Sequence, residues 1–152
     1  MERLEGEPLR WLSHDYRVRR NGVELTLIDL TFRSRGEFVL EGERYEFRRE
    51  HLLARSYILE QDGRVVARAE RTGIIPSRYR VTVSDRQLTL RPRLPGHTWL
   101  VQHGDRTIGE VRRRRLFSRA FIAEFREPFP LVAEVFVLAV VVVRWRARAR
   151  AR

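Results

Sequence analysis

Apolar and polar residues alternate with period two along most of the chain, and turn-forming residues recur every eight to twelve positions. That rhythm marks an antiparallel all-β domain. The stretch DYRVRRNGVELTLIDLTF shows the logic. Asn21-Gly22 supplies the positive φ angles that a two-residue type I′ hairpin turn needs. Folding the chain there sets Val18 opposite Leu25 and Tyr16 opposite Leu27 on one face. Arg19 then faces Glu24 and Arg17 faces Thr26 on the other.

The same reading finds strands in GEFVLEG, RYEFRRE, RSYILEQ, RVVARAER, RYRVTVS, QLTLRPR, HTWLVQH, RTIGEVRR and FSRAFIAEF. Turns are expected at Arg35-Gly36, Glu41-Gly42, Asp62-Gly63, GIIPS, LPG and Gly104-Asp105. Ten to twelve strands exceed what one open sheet normally holds without curling or closing. No linker divides them, so residues 1–152 are expected to form one domain with its strands over about 10–126. There is also an internal repeat. RSYILEQDGRVVARAER aligns without gaps onto HTWLVQHGDRTIGEVRR at an offset of 42, matching Tyr57 with Trp99 and Val66 with Ile108. Extending that register brings Ile74 onto Leu116, Tyr79 onto Phe121 and Val83 onto Phe125. Two similar β units that each leave an apolar face uncovered would share one core.

The chain closes on LVAEVFVLAVVVVRWRARARAR, in which Leu131 to Val143 is apolar except for Glu134. Three readings compete. A membrane-spanning helix needs about 20 apolar residues, and this run is shorter and holds a charge. A strand is favoured by the valines, but the run is long and does not alternate. A buried helix suits the length, the prolines at 128 and 130, the early Glu134 and the arginines that follow. A helix that is apolar all round must be enclosed on all sides, and a closed barrel can enclose one. The expected architecture is therefore mainly β: a closed antiparallel barrel of about 12 strands around a C-terminal helix, 129–146, with a basic tail, 147–152.

Composition narrows the function more than the fold. The net charge is +11, and all 31 basic residues are arginine. Five arginines fall in the last nine residues. Such an excess attracts phosphates, nucleic acids and anionic membranes. Cysteine is absent, which removes disulfides, thiolate metal sites and cysteine nucleophiles. The first residues, MERLEGEPLRWL, lack an apolar signal core, so a cytoplasmic protein is the expectation.

The order of these segments is similar to that of the tubby C-terminal-like barrel superfamily, which includes the LURP-one-related proteins and the phospholipid scramblases. The carrying stretches are YEFRRE, SYILEQDGRVVARAER, LTLRPR, IGEVRRRRLFSRAFIAEF and the helix LVAEVFVLAVVVV. The resemblance covers residues 10 to 145 and implies a barrel threaded by its last helix, no enzyme activity and no cofactor. It departs in lacking the scramblases' acidic calcium segment and cysteine cluster. It also lacks the lysine of the tubby phosphoinositide pocket.

For chemistry, the hairpin RYRVTVSDRQLTLRPR stands out. With the turn at Asp85-Arg86, Arg80 would face Arg91 and Arg78 would face Arg93, a square of guanidinium groups suited to phosphate or carboxylate oxygens. Arg112 and Arg114 add a second cluster with Arg113, Arg115 and Arg119. These six (Arg78, Arg80, Arg91, Arg93, Arg112 and Arg114) are the candidate ligand-binding residues. Against that reading stands ordinary pairing with glutamates on neighbouring strands. The histidines are scattered, and no catalytic or metal signature appears. The expected partner is an anionic membrane surface or phospholipid headgroup, met from the membrane's periphery. A nucleic-acid module is the alternative, disfavoured because Tyr16, Tyr79, Phe121 and Phe125 fall on apolar faces rather than being free to stack on bases. A tail-anchored membrane protein is a further alternative.

Overall fold

The computed structural model describes residues 2–10, 14–32, 35–51, 56–73, 77–93, 97–115 and 118–150. Its strands are β1 (Glu2–Pro8), β2 (Asp15–Arg20), β3 (Val23–Phe32), β4 (Arg35–Leu40), β5 (Glu43–Arg49), β6 (Tyr57–Gln61), β7 (Arg64–Arg71), β8 (Tyr79–Val83), β9 (Arg86–Arg93), β10 (Thr98–His103), β11 (Arg106–Arg113) and β12 (Phe121–Phe125). Each pairs antiparallel with its sequence neighbours, and β1 pairs with both β2 and β12 to close a twelve-stranded barrel. One helix, α1 (Leu131–Arg150), follows. The closed barrel around a C-terminal helix is the architecture expected from the alternation.

The helix fills the barrel. Every residue from Ala133 to Val143 is buried, and all but Glu134 belong to one cluster with the inward side chains of the strands. A barrel's width grows with strand number, and at twelve it holds a helix where eight would be filled by side chains alone. Closure leaves no unpaired edge, and the helix covers the apolar lining. Pro130 caps the helix, its carbonyl accepting from the amides of Ala133 (2.9 Å) and Glu134 (3.1 Å). Its fixed φ suits a helix start, where it has no amide to leave unpaired. The helix runs four residues past the expected end at 146, because alanine and arginine are both strong helix formers and arginine suits the negative C-terminal dipole. Among the described residues no helix is long and apolar enough to cross a membrane.

The barrel's two ends differ. One carries the tight turns Asn21-Gly22, Glu41-Gly42, Asp62-Gly63, Ser84-Asp85 and Gly104-Asp105, together with the start of α1. At four of these turns a non-glycine residue takes positive φ: Asn21, Glu41, Asp62 and Ser84. The other, the loop end, carries the remaining connections and the C-terminus of α1. The connection expected at Arg35-Gly36 falls instead at 33–34, and Gly36 lies inside β4. There a Cβ would sit 2.0 Å from the Asp29 carbonyl oxygen, so the two backbones meet more closely than any other residue permits. The centres of GIIPS and LPG and the Ile74–Leu116 match lie outside the described residues.

Three hairpins carry a β-bulge at an equivalent place. Register shifts between Val18 and Arg19, between Leu59 and Glu60, and between Val101 and Gln102 leave Leu25, Val66 and Ile108 without a cross-strand partner. The last two are the pair that the 42-residue repeat aligns. The repeat also superposes β7 on β11 and β8 on β12 residue for residue. The first bulge overturns part of the expected pairing. Arg19 does face Glu24, but Val18 faces Thr26 and Tyr16 faces Ile28. Leu27 therefore points outward and is 47% exposed. Thr26 points in, its hydroxyl donating to the Val39 carbonyl at 2.5 Å. One extra residue in a strand flips every side chain beyond it to the other face.

Candidate functional site

The arginine square does not form. The β8–β9 turn is at Ser84-Asp85, with Ser84 at positive φ, so Arg80 faces Thr89 and Val81 faces Leu88. Arg91 faces Leu100 and Arg93 faces Thr98 on the other side of β9. Arg80 instead reaches Glu70 across β7 at 3.2 Å. Arg112 lies between Glu110 (3.5 Å) and Glu124 (3.3 Å), and Arg114 donates to Glu5 at 2.7 Å. Three of the six candidates are thus ion-pair partners on the barrel wall. The second cluster splits at the strand's end: β11 stops at Arg113, and Arg114 and Arg115 lie beyond it.

Arginine on the wall has a packing role too. Ile58, Leu100 and Ile122 point outward yet are at most 5% exposed. Ile58 lies between Arg48 and Arg68, Leu100 between Arg91 and Glu110, and Ile122 between Arg112 and Glu5. The aliphatic stem of an arginine can cover an apolar neighbour while its head stays wet. Arg48 and Arg68 are held in turn by Glu60 (2.5 Å) and by Glu50.

Arg78, Arg91 and Arg93 have no carboxylate within 4 Å among the described residues, and Arg78 and Arg93 are exposed. Both belong to the loop end, and so do exposed Arg10, Arg115 and Arg148, which are likewise without an ion pair. The described carboxylates there are already engaged. Glu7 holds Arg19 at 2.8 Å and Glu50 holds Arg68. Asp15 shares a hydrogen bond with Asp29, and burial and that neighbour push its carboxyl up. His14 is pushed down by desolvation and then by the positive charges of Arg146 and Arg119.

Beneath these arginines, aromatic side chains collar the end of α1. Phe47, Tyr57, Tyr79 and Trp99 follow one another around the barrel with ring centroids 5.4 to 6.2 Å apart, and Tyr16, Phe121 and Trp145 continue on the far side. Tyr16, Tyr57 and Trp99 occupy equivalent places in the three bulged hairpins. Cations lie over the collar: Arg144 over Tyr79 at 6.0 Å, Arg113 over Trp145 at 5.1 Å and Arg119 over Tyr16 at 5.8 Å. Such contacts hold a guanidinium without neutralising it. Arg146 is fixed by donating to the Leu30 carbonyl at 2.8 Å.

The turn end has the opposite balance. Four of its turns set carboxylates beside an arginine: Glu41 and Glu43 with Arg44, Asp62 with Arg64, Asp85 with Arg86, and Asp105 with Arg106. A polar plug sits inside it. Arg20 pairs with Glu2, and Glu2 shares a hydrogen bond with buried Glu134. Burial and that carboxylate raise the Glu134 carboxyl to about 9. No group of His, Asp and Glu that could hold a metal occurs among the described residues.

The sequence pointed to Arg78 and Arg93 but not to Arg144, Arg146 or Arg10. Their common location follows from strand polarity and helix direction, which no local motif encodes. The chain matches no known protein-family model, no curated protein and no solved structure.

Proposed function

We propose that this chain is a non-enzymatic, tubby-like binding barrel whose loop end takes anionic lipid headgroups or other phosphate-bearing ligands, in the cytoplasm at the membrane's periphery. One observation carries the reading: among the described residues, exposed arginines without an ion pair are concentrated at the loop end (Arg10, Arg35, Arg78, Arg93, Arg115 and Arg148), whereas the three at the turn end (Arg64, Arg86 and Arg126) each lie within two positions of a carboxylate. Salt bridges on the wall engage many of the glutamates, so the excess of +11 is carried by arginines outside those pairs, several of them at the loop end. The closed barrel threaded by its last helix is also the architecture that the resemblance to the LURP-one-related and scramblase-like barrels implies. Guanidinium forks recognise phosphate in two-pronged fashion, and polybasic surfaces bind anionic bilayers.

Sedimentation with vesicles tests it. Phosphatidylserine vesicles should carry the protein down at 50 mM salt and release it as salt rises, while pure phosphatidylcholine should not bind. Equal recovery with both lipids would sink the proposal.

A further inference from the structure

We infer that the barrel docks end-on, with α1 steep to the surface, its C-terminal turn in the headgroup layer and the turn end facing water. The inference rests on the anion-binding reading above and adds a partner class, a fluid anionic bilayer, together with an orientation. Three observations carry it. First, α1 runs the length of the barrel and emerges at the loop end: Val143 and Trp145 are buried, Arg146 is half-buried, and Arg148 and Ala149 are exposed. The emergent turn alternates arginine with alanine, a composition for headgroups rather than hydrocarbon. Second, the carboxylates at Glu41, Asp62, Asp85 and Asp105 lie at the opposite end, so an anionic surface favours one orientation and repels the other. Third, the aromatics at the loop end are packed inside the collar, with Tyr16, Tyr57, Tyr79 and Phe121 all buried. Among the described residues none of these is left free to stack on a base, as single-strand binders require.

Two variants of the full chain with matched charge changes test the orientation. Arg78→Glu with Arg93→Glu alters the loop end, and Arg64→Glu with Arg126→Glu alters the turn end; all four residues are exposed. On vesicles of 30% phosphatidylglycerol in phosphatidylcholine, the first should bind at least about 30-fold more weakly, from roughly a fivefold factor for each arginine lost, with the introduced glutamates adding to the loss. The second should stay within about threefold of the parent. Because the chain has no cysteine, Arg93→Cys and Arg64→Cys can each carry a single environment-sensitive dye, independently of the charge variants. The label at 93 should shift to the blue on vesicle addition and the label at 64 should not. Equal losses, or equal shifts, would overturn end-on docking while leaving anion binding in place. Binding to single-stranded DNA tighter than to these vesicles at the same salt would overturn the bilayer assignment. Failure to bind any anionic vesicle would remove both readings.

Discussion

Glu134 shows how one residue can set a pH dependence for the fold. It sits in the first turn of α1, 1% exposed, against Glu2. Near the positive end of the helix dipole an exposed carboxylate would be welcome, but burial outweighs that and holds the group protonated to about pH 9. In the unfolded chain it ionises near 4.5. Between those values the folded state keeps a proton that the unfolded state gives up, so stability falls as pH rises across that window. The slope is about 1.4 kcal/mol per pH unit, a cost of roughly 3 kcal/mol by pH 7. Glu134→Gln keeps the shape without the titration. Urea unfolding at pH 5, 7 and 8.5 should show the parent weakening and the variant nearly flat; parallel slopes would show that other groups set the dependence. The sequence marked Glu134 as the odd residue in an apolar run, but its proximity to Glu2 depends on β1, a strand that the reading from about residue 10 missed. In β1 only Leu4 and Gly6 are buried, and its remaining residues are three glutamates, one arginine and a proline, so it carries almost no apolar signal.

At the scale of elements, alternation gave the faces correctly and the partners less well, for a physical reason. Period two fixes the parity of a strand, and a slip of two residues preserves it. The β8–β9 turn lies one residue earlier than expected, which changed every cross-strand pair by two while Val81, Val83, Leu88 and Leu90 stayed inside. A bulge breaks parity instead, as at Leu27, and nothing in the composition of that hairpin announces one. The helix was legible because its apolar run has no polar face to leave exposed. Its role as the barrel's filling leads to a sharp expectation. A chain ending at Glu127 should aggregate or show no cooperative melting, since the lining from Leu4 to Phe125 would face an empty lumen. Leu138→Ala, a milder change at a fully buried position, should cost about 2–5 kcal/mol by chemical denaturation. A soluble, cooperatively melting truncation would refute the packing role.

For the whole molecule, the decisive property is where the charge lies. With a net charge of +11, the folded state confines arginines that the unfolded chain would spread apart. The wall's ion pairs act at 2.5 to 4.0 Å and survive moderate salt, whereas repulsion among arginines across the loop end acts over longer distances. The screening length shrinks from about 30 Å at 0.01 M salt to about 10 Å at 0.1 M, which removes the second before the first. Raising sodium chloride from 10 to 150 mM should therefore increase the melting temperature by about 2–4 °C, equivalent to roughly 1 kcal/mol for a chain of this size. Arg78→Gln with Arg93→Gln should reproduce part of that gain at low salt and respond less to added salt. Arg80→Gln, which breaks the exposed pair with Glu70, should change stability by less than about 1 kcal/mol. A melting temperature that falls with salt would mean that the paired wall, not the crowded end, dominates the electrostatics of the fold. In that case the loop end would no longer stand out as a concentration of charge held against its own repulsion, which is the physical basis for assigning it a partner.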